Sequence, residues 1–391
     1  MKRLVVLWVT FLLLAGLLSP LAATAAEKAP AAASQPGVQM ARTLSEITGV
    51  AISPLMGVSV VGAVKYMNTP QANRSKLPWF AQPWFWVPAL IVVAICFIKD
   101  TAGTALPTAV KKPFDVIETV EHKVSGLVAT GAFVPFAVSL MHDAGVGSST
   151  FSAMGLAAID GQWLYNLIMT PVAMVLFFVV FLASNAINIL ILLSPFTTVD
   201  TALKAFRTGV LATIVASAWA NPWLGAMWAA IIVVISYFIA GWSFRLSHFG
   251  LVYVMEFLTM RHARYTPGPK VNKLFLSRKI DKAPARTYGK LSRDEQGKLV
   301  FDYHPWLILP KQTLVLPEGQ YEVGHGLFYS EILRVEGDST KTMILLPPRY
   351  RGHEQELVKI YSLAGMREVG FRAAWTWLKG IFGGNTAPQA V

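Results

Sequence analysis

The chain has 391 residues, 54% of them hydrophobic and only 14% charged, with a mean hydropathy of +0.49 and a formal net charge of +12. Soluble domains carry about 25% charged residues, so this composition excludes an ordinary soluble protein and indicates an integral membrane protein. The single cysteine, Cys96, lies in an apolar run, which rules out an intrachain disulfide or a thiolate metal cluster.

Lys2 and Arg3 precede an apolar stretch from Leu4 to Leu18, followed by Ser19-Pro20 and the small residues Ala22 to Ala26. That charged, apolar, small order is the pattern of a secretory signal peptide over residues 1–26, either cleaved or kept as an anchor. An Ala/Pro/Ser/Gln segment over 27–42 reads as a flexible tether.

A membrane helix needs about 20 apolar residues, and residues 43–260 supply several candidates. Leu44 to Val64, Val124 to Met141, Tyr165 to Leu193 and Trp223 to Phe244 are long enough, whereas Trp84 to Ile98 and Val210 to Trp219 are short. Lys and Arg concentrate on the cytoplasmic side of a membrane protein. Of 34 such residues, 20 follow residue 260. The predicted topology places the C-terminal part in the cytoplasm and the 142–162 loop outside, in a bacterial inner membrane. The lysines between 99 and 123 fit better if 84–98 is re-entrant.

Two segments repeat. Ser53-Pro54 and Val58 recur as Ser194-Pro195 and Val199, while Ala81-Gln82-Pro83-Trp84 recurs as Ala220-Asn221-Pro222-Trp223. Lys65 and Lys204 keep the same order between them. The pattern predicts an internal two-fold repeat, with units at about 52–103 and 193–242. In such proteins a site lies between the units, where Pro breaks a helix, and Ser53 and Ser194 are the predicted caps there. The Ser-Pro-led helices, the Pro-Trp helix and the stretch Asp115 to His122 resemble the DUF4126 group of bacterial membrane proteins over residues 44–258. That resemblance implies a helical membrane fold and brings no catalytic residues with it.

Polar groups at membrane depth are functional candidates. Asn185 and Asn188 share one helix face beside Ser184, either lining a path or tying helices together. Asp100 follows Lys99 at the end of an apolar run, as a titrating group or as half of a neutral boundary pair. Arg245, His248 and Glu256 read as anchors near the end of the last helix. No phosphate loop, H-E-x-x-H or clustered histidines occur, so no enzyme activity, metal or cofactor is expected; Gly324-His325-Gly326 reads as a turn.

Residues 261–297 read as a basic linker. From Lys298 the pattern turns to short strands at 299–301, 306–309, 313–316, 327–335 and 342–346, then to helices at 353–363 and 366–382. The predicted fold class is therefore an α-helical polytopic membrane domain plus a small β-rich cytoplasmic domain over 298–363, similar in element order to a pleckstrin-homology module. An amphipathic helix at 364–383 mixes Arg367, Arg372 and Lys379 with Trp375 and Trp377. It is expected to lie on anionic headgroups, or else to pack on the protein; residues 384–391 form a tail.

Two functions follow from this pattern. One is a transporter or channel with a regulatory or docking domain, which needs Asn185, Asn188 and Asp100 on a solvated path. The other is a non-transporting scaffold that senses lipid or recruits a partner, with those amides buried and paired. The expected partners are the bilayer, its anionic headgroups and a protein at the C-terminal domain. A homo-oligomer is left open, and nucleic acid is not expected, because cytoplasmic loops account for the positive charge.

Overall fold

Prolines open most of the helices in the N-terminal part, because the first turn has no use for the missing N–H. The computed structural model describes residues 36–103, 131, 161–193, 197–326, 329–337 and 339–369. Its helices there are α1 (Pro36–Ile52), α2 (Pro54–Asn68), α3 (Pro83–Gly103), α4 (Gly161–Leu193), α5 (Thr197–Ala220) and α6 (Pro222–Leu258). The chain divides into two units, Met1–Ser243 and Phe244–Val391. The expected signal peptide, the 142–162 loop and Ser194 lie outside the described residues.

In the first unit α1 packs on α4 and α5, and α2 packs on α3. Ile47, Val50, Val58, Phe80, Phe177, Val180 and Ile214 form its core. At two breaks a helix starts close against the last turns of its predecessor. Pro54 starts α2 three residues before Gly57, where a Cβ would lie 2.7 Å from the Val50 Cα. Pro222 starts α6 three residues before Gly225, where a Cβ would lie 2.5 Å from the Ala218 Cα. Only glycine permits that approach at either turn.

Among the described residues, two helices are long and apolar enough to cross a membrane, Leu167–Ile191 within α4 and Pro222–Leu258. The apolar part of α3, Pro83–Ala94, is shorter. Both long helices expose large apolar side chains, including Val175, Phe178, Ile235 and Phe238, the last 80% exposed. Water disfavours so large an apolar surface on a monomer, and it points to membrane association.

The second unit holds an eight-stranded sheet: β1 (Asn272–Leu276), β2 (Tyr288–Arg293), β3 (Leu299–Tyr303), β4 (Gln312–Val315), β5 (Gln320–His325), β6 (Ser330–Glu336), β7 (Ser339–Leu345) and β8 (Met366–Glu368). The strand order is β4-β3-β2-β1-β7-β6-β5-β8. Every pairing is antiparallel except β5 with β8. Alternation along β3 buries Leu299, Phe301 and Tyr303 on one face, each such side chain stabilising by about 2 kcal/mol. Helix α7 (Glu354–Ile360) sets Leu357 into the same core, followed by Tyr361.

Four sequence expectations change here, the first being the tether over 27–42, whose residues 36–42 belong to α1. Residues 261–297 are not a linker, since they contain β1 and β2; the outward Lys273 and Lys290 disguised strands whose other faces are buried. Residues 306–309 are not a strand but part of a turn between Pro305 and Pro310. Arg367 is not on an amphipathic helix: it lies in β8, and its Nε meets Glu322 at 2.8 Å. Arg372, Trp375, Trp377 and Lys379 lie outside the described residues.

A buried polar network stitches the start of the sheet to its closing helix. Asn272 accepts from the Gly268 N–H at 2.8 Å, and donates to the Gly268 carbonyl at 2.9 Å and to the Tyr361 hydroxyl at 3.0 Å. The Tyr350 hydroxyl donates to the Lys273 carbonyl, and the Tyr361 hydroxyl to the Leu291 carbonyl. Burial pushes the Tyr361 phenol up to about 12, with Asn272 opposing the shift. Replacing Asn272 with Ala strands several of these groups, each costing about 1–3 kcal/mol. We expect N272A to lower the thermal midpoint of the β unit, read by circular dichroism, whereas Lys290→Ala, on the outward face of β2, should leave it unmoved.

Candidate functional site

Among the described residues, Ser184, Asn188 and Asp200 of the predicted polar set serve helix ends and helix pairs. The last carbonyls of a helix lack intrahelical donors, and at the α1–α2 break the Ser184 hydroxyl on α4 donates to the Ile52 carbonyl at 2.7 Å. Ser53, expected to cap α2, makes no side-chain cap bond there. Its backbone serves instead, the Ser53 N–H donating to the Gly49 carbonyl at 3.2 Å and the Ser53 carbonyl accepting from the Gly57 N–H at 2.7 Å. At the second break Asn221 does act as a cap, its Oδ1 accepting from the Trp223 N–H at 2.9 Å.

Asn185 and Asn188 are both buried on α4. Asn188 Oδ1 accepts a hydrogen bond from the Arg207 guanidinium on α5. The sequence showed no charge beside these amides because the partner comes from another helix. Asp200 is buried in the first turn of α5, where the helix dipole favours an acid. Asp100 falls at the end of α3, and its side chain lies outside the described residues.

The second unit contains a built cleft of about 330 Å³. Arg245 and His248 of α6, Lys282 and Arg286 of the β1–β2 loop, Tyr288 of β2 and Trp306 of the β3–β4 loop line it. Arg245 Nε donates to the Ala285 carbonyl at 3.2 Å, which ties the helix to the β1–β2 loop. Arg286 sits at φ 59, and burial lowers its pKa. The His248 ring packs edge-on against Tyr288, with centroids 4.9 Å apart. The cleft therefore combines cations with aromatic walls, a surface suited to an anion attached to apolar groups.

Two features hold this cleft in shape. Below it, Glu256 meets Arg349 Nη2 at 2.8 Å and accepts from the Arg349 backbone N–H at 3.2 Å. Arg349 Nη2 also donates to the Tyr288 hydroxyl at 3.2 Å. The Pro347-Pro348 pair presents Arg349 by forcing a 3-10 turn at Pro348–Tyr350. Both side chains of the pair are about 95% buried. Burial works against the Arg349 charge, yet Glu256 and Tyr288 hold its pKa above the ordinary value. Sequence reading took Glu256 for an interfacial anchor, since its partner lies 93 residues away.

At the rim, the β3–β4 loop is fastened by His304, whose Nδ1 meets the Leu309 carbonyl at 2.9 Å, and by the Leu309 N–H to the Pro305 carbonyl at 3.0 Å. Trp306 and Leu307 both have left-handed backbones, with φ 54 and 65. Each costs about 1–3 kcal/mol for a residue other than glycine, strain that gathers at functional sites. Beyond the loop, Lys311 Nζ lies 2.8 Å from Asp302, which also accepts from Thr313 at 2.7 Å.

A second cluster has the residue types of a hydrolase without its geometry. The Ser330 hydroxyl donates to Glu354 at 2.7 Å, and His325 Nδ1 meets the same carboxylate oxygen at 3.0 Å. An activated nucleophile gives its proton to the imidazole; here the proton goes to Glu354, so the cluster joins β5, β6 and α7. Among the described residues, no group of His, Cys, Asp and Glu could hold a metal. Compared with known protein families, curated proteins and solved structures, the chain matches none.

Removing one member of a buried ion pair costs about 3–5 kcal/mol, whereas replacing both with apolar groups is often neutral. Glu256→Gln should therefore lower the unfolding free energy of the β unit, read from urea titration, by that amount, and the double change E256L/R349M should restore most of it. Asp302 supplies a pH signature. Burial opposes its charge, but the bonds from Lys311 and Thr313 hold its pKa below the ordinary value. Its contribution is full above the unfolded value of about 3.9 and is lost as pH falls through the lower folded value. Asp302→Asn should flatten that part of the acid-unfolding curve.

Proposed function

We propose that the protein is a non-transporting membrane scaffold that presents its β unit at a lipid surface and recruits a partner there. The observation that carries this reading is the state of the membrane amides. Asn188 is buried and held by Arg207, Asn185 is buried, and Ser184 is used by the Ile52 carbonyl. A transport path needs such groups facing water, whereas a scaffold uses them to bind helices together. The cleft of the β unit supports the docking role, because it joins cations and aromatic rings on a surface stiffened by a buried ion pair.

Several finer features belong to the same proposal. The recurring Ser-Pro and Ala-x-Pro-Trp motifs of the sequence support a duplicated helical part related to the DUF4126 group. The excess of Lys and Arg after residue 260 supports a multi-pass inner-membrane protein with a cytoplasmic β unit. The strand order, with α7 after β7, supports a pleckstrin-like module.

A double-mutant cycle on the amide tests the proposal in detergent and in lipid. Asn188→Leu should lower thermal stability by about 1–3 kcal/mol, as expected for a guanidinium deprived of its partner. Adding Arg207→Leu should recover part of the loss. An Asn188→Leu protein with unchanged stability would remove the structural role of the amide and return weight to a conducting path.

A further inference from the structure

The β3–β4 turn is a surface that a soluble domain would avoid. Trp306, Leu307, Ile308 and Leu309 are all exposed, Ile308 by 85%. They are held out by a fastened loop rather than left loose. The His304 ring and the Pro305 carbonyl both grip Leu309, and two left-handed residues sit at the tip. The bland alternative, a frayed connection, does not account for these bonds.

The loop also has a fixed neighbour. The Trp306 ring packs against Phe244 of α6, with centroids 4.9 Å apart. Phe244 closes the run 222–244, which contains no charged side chain; Arg245 is the first charge after it. At about 1.5 Å per residue that run matches the hydrocarbon layer, so Phe244 marks its edge. Tryptophan concentrates at that depth. Arg245, Lys282 and Arg286 line the cleft beside the loop, where cations meet lipid phosphates. Lys311 is engaged by Asp302.

We propose that the 305–310 loop inserts into the interfacial layer of the anionic bilayer that α6 crosses, with Arg245, Lys282 and Arg286 on lipid phosphates. The apolar tip and the cations then act as one lipid-reading surface. The β unit senses headgroup charge directly through it. This inference rests on α6 being a membrane helix, as the proposed scaffold requires.

The test uses the full chain with Cys96→Ser, reconstituted in nanodiscs of phosphatidylcholine and phosphatidylglycerol in equal parts. Spin labels are placed singly at Ile308→Cys, at Val234→Cys within α6, and at Glu295→Cys on the exposed turn at the other end of β3. Collisions with oxygen and with a nickel chelate report depth. Labels at 308 and 234 should favour oxygen, and the label at 295 the chelate. An aqueous label at 308 with a lipid-buried label at 234 overturns the loop proposal alone. An aqueous label at 234 overturns the membrane reading of α6 beneath it. Lys282→Gln with Arg286→Gln should lower the inserted fraction at 308 by on the order of 30-fold in equilibrium constant. Discs of phosphatidylcholine alone should act in the same direction. A depth at 308 that ignores both changes overturns the role given to the cations.

Discussion

Helix α6 must satisfy two solvents along one axis, and much of the second unit depends on how it does so. Its 37 residues rise about 55 Å, well beyond a hydrocarbon layer of about 30 Å. The excess beyond Phe244 includes the charged and polar side chains Arg245, His248 and Glu256. Buried charges need partners, and Arg349 supplies one to Glu256 by both its side chain and its backbone. The ion pair is therefore more than an addition to a finished domain. It neutralises the helix end that the β unit packs around, and through Tyr288 it reaches the wall of the basic cleft.

The cleft gains its character from that packing. Arg245 would be an ordinary boundary cation on an isolated helix. Bonded to the Ala285 carbonyl, it faces Lys282 and Arg286 from a loop that the sequence places far from it. Like charges gathered in this way repel one another, a cost that the proposed anionic headgroups would offset. A strained loop of exposed apolar side chains beside such a site follows the same logic, since water rewards neither feature and an anionic bilayer rewards both.

The membrane part answers a different requirement. Helix breaks at Pro54 and Pro222 free backbone groups, and two solutions appear. Asn221 caps its own helix, whereas the Ile52 carbonyl borrows a hydroxyl from α4. The buried amides belong to the same economy of hydrogen bonds, with Arg207 reaching Asn188 from the neighbouring helix.

Local pattern determined much of this on its own. The low charge content and the apolar runs declare the membrane class, because hydrocarbon solvent acts on every residue in a span. The prolines mark helix starts for a local steric reason. The alternation in 299–303 and the helical spacing of 354–360 are likewise visible in short windows. Where the reading failed, the deciding contact was distant. Residues 306–309 are the local exception: they look like a strand by composition, but the flanking Pro305 and Pro310 and the His304 grip make them a turn. Lys273 and Lys290 disguised β1 and β2, whose buried faces exist only once the sheet pairs. Arg367 looked free to lie on a membrane until β8 met β5 and brought Glu322 beside it. The Glu256–Arg349 pair, the Arg207–Asn188 bond and the basic cleft share that origin. Each joins groups separated along the chain, and a single sequence carries no record of such pairings until the fold closes the distance.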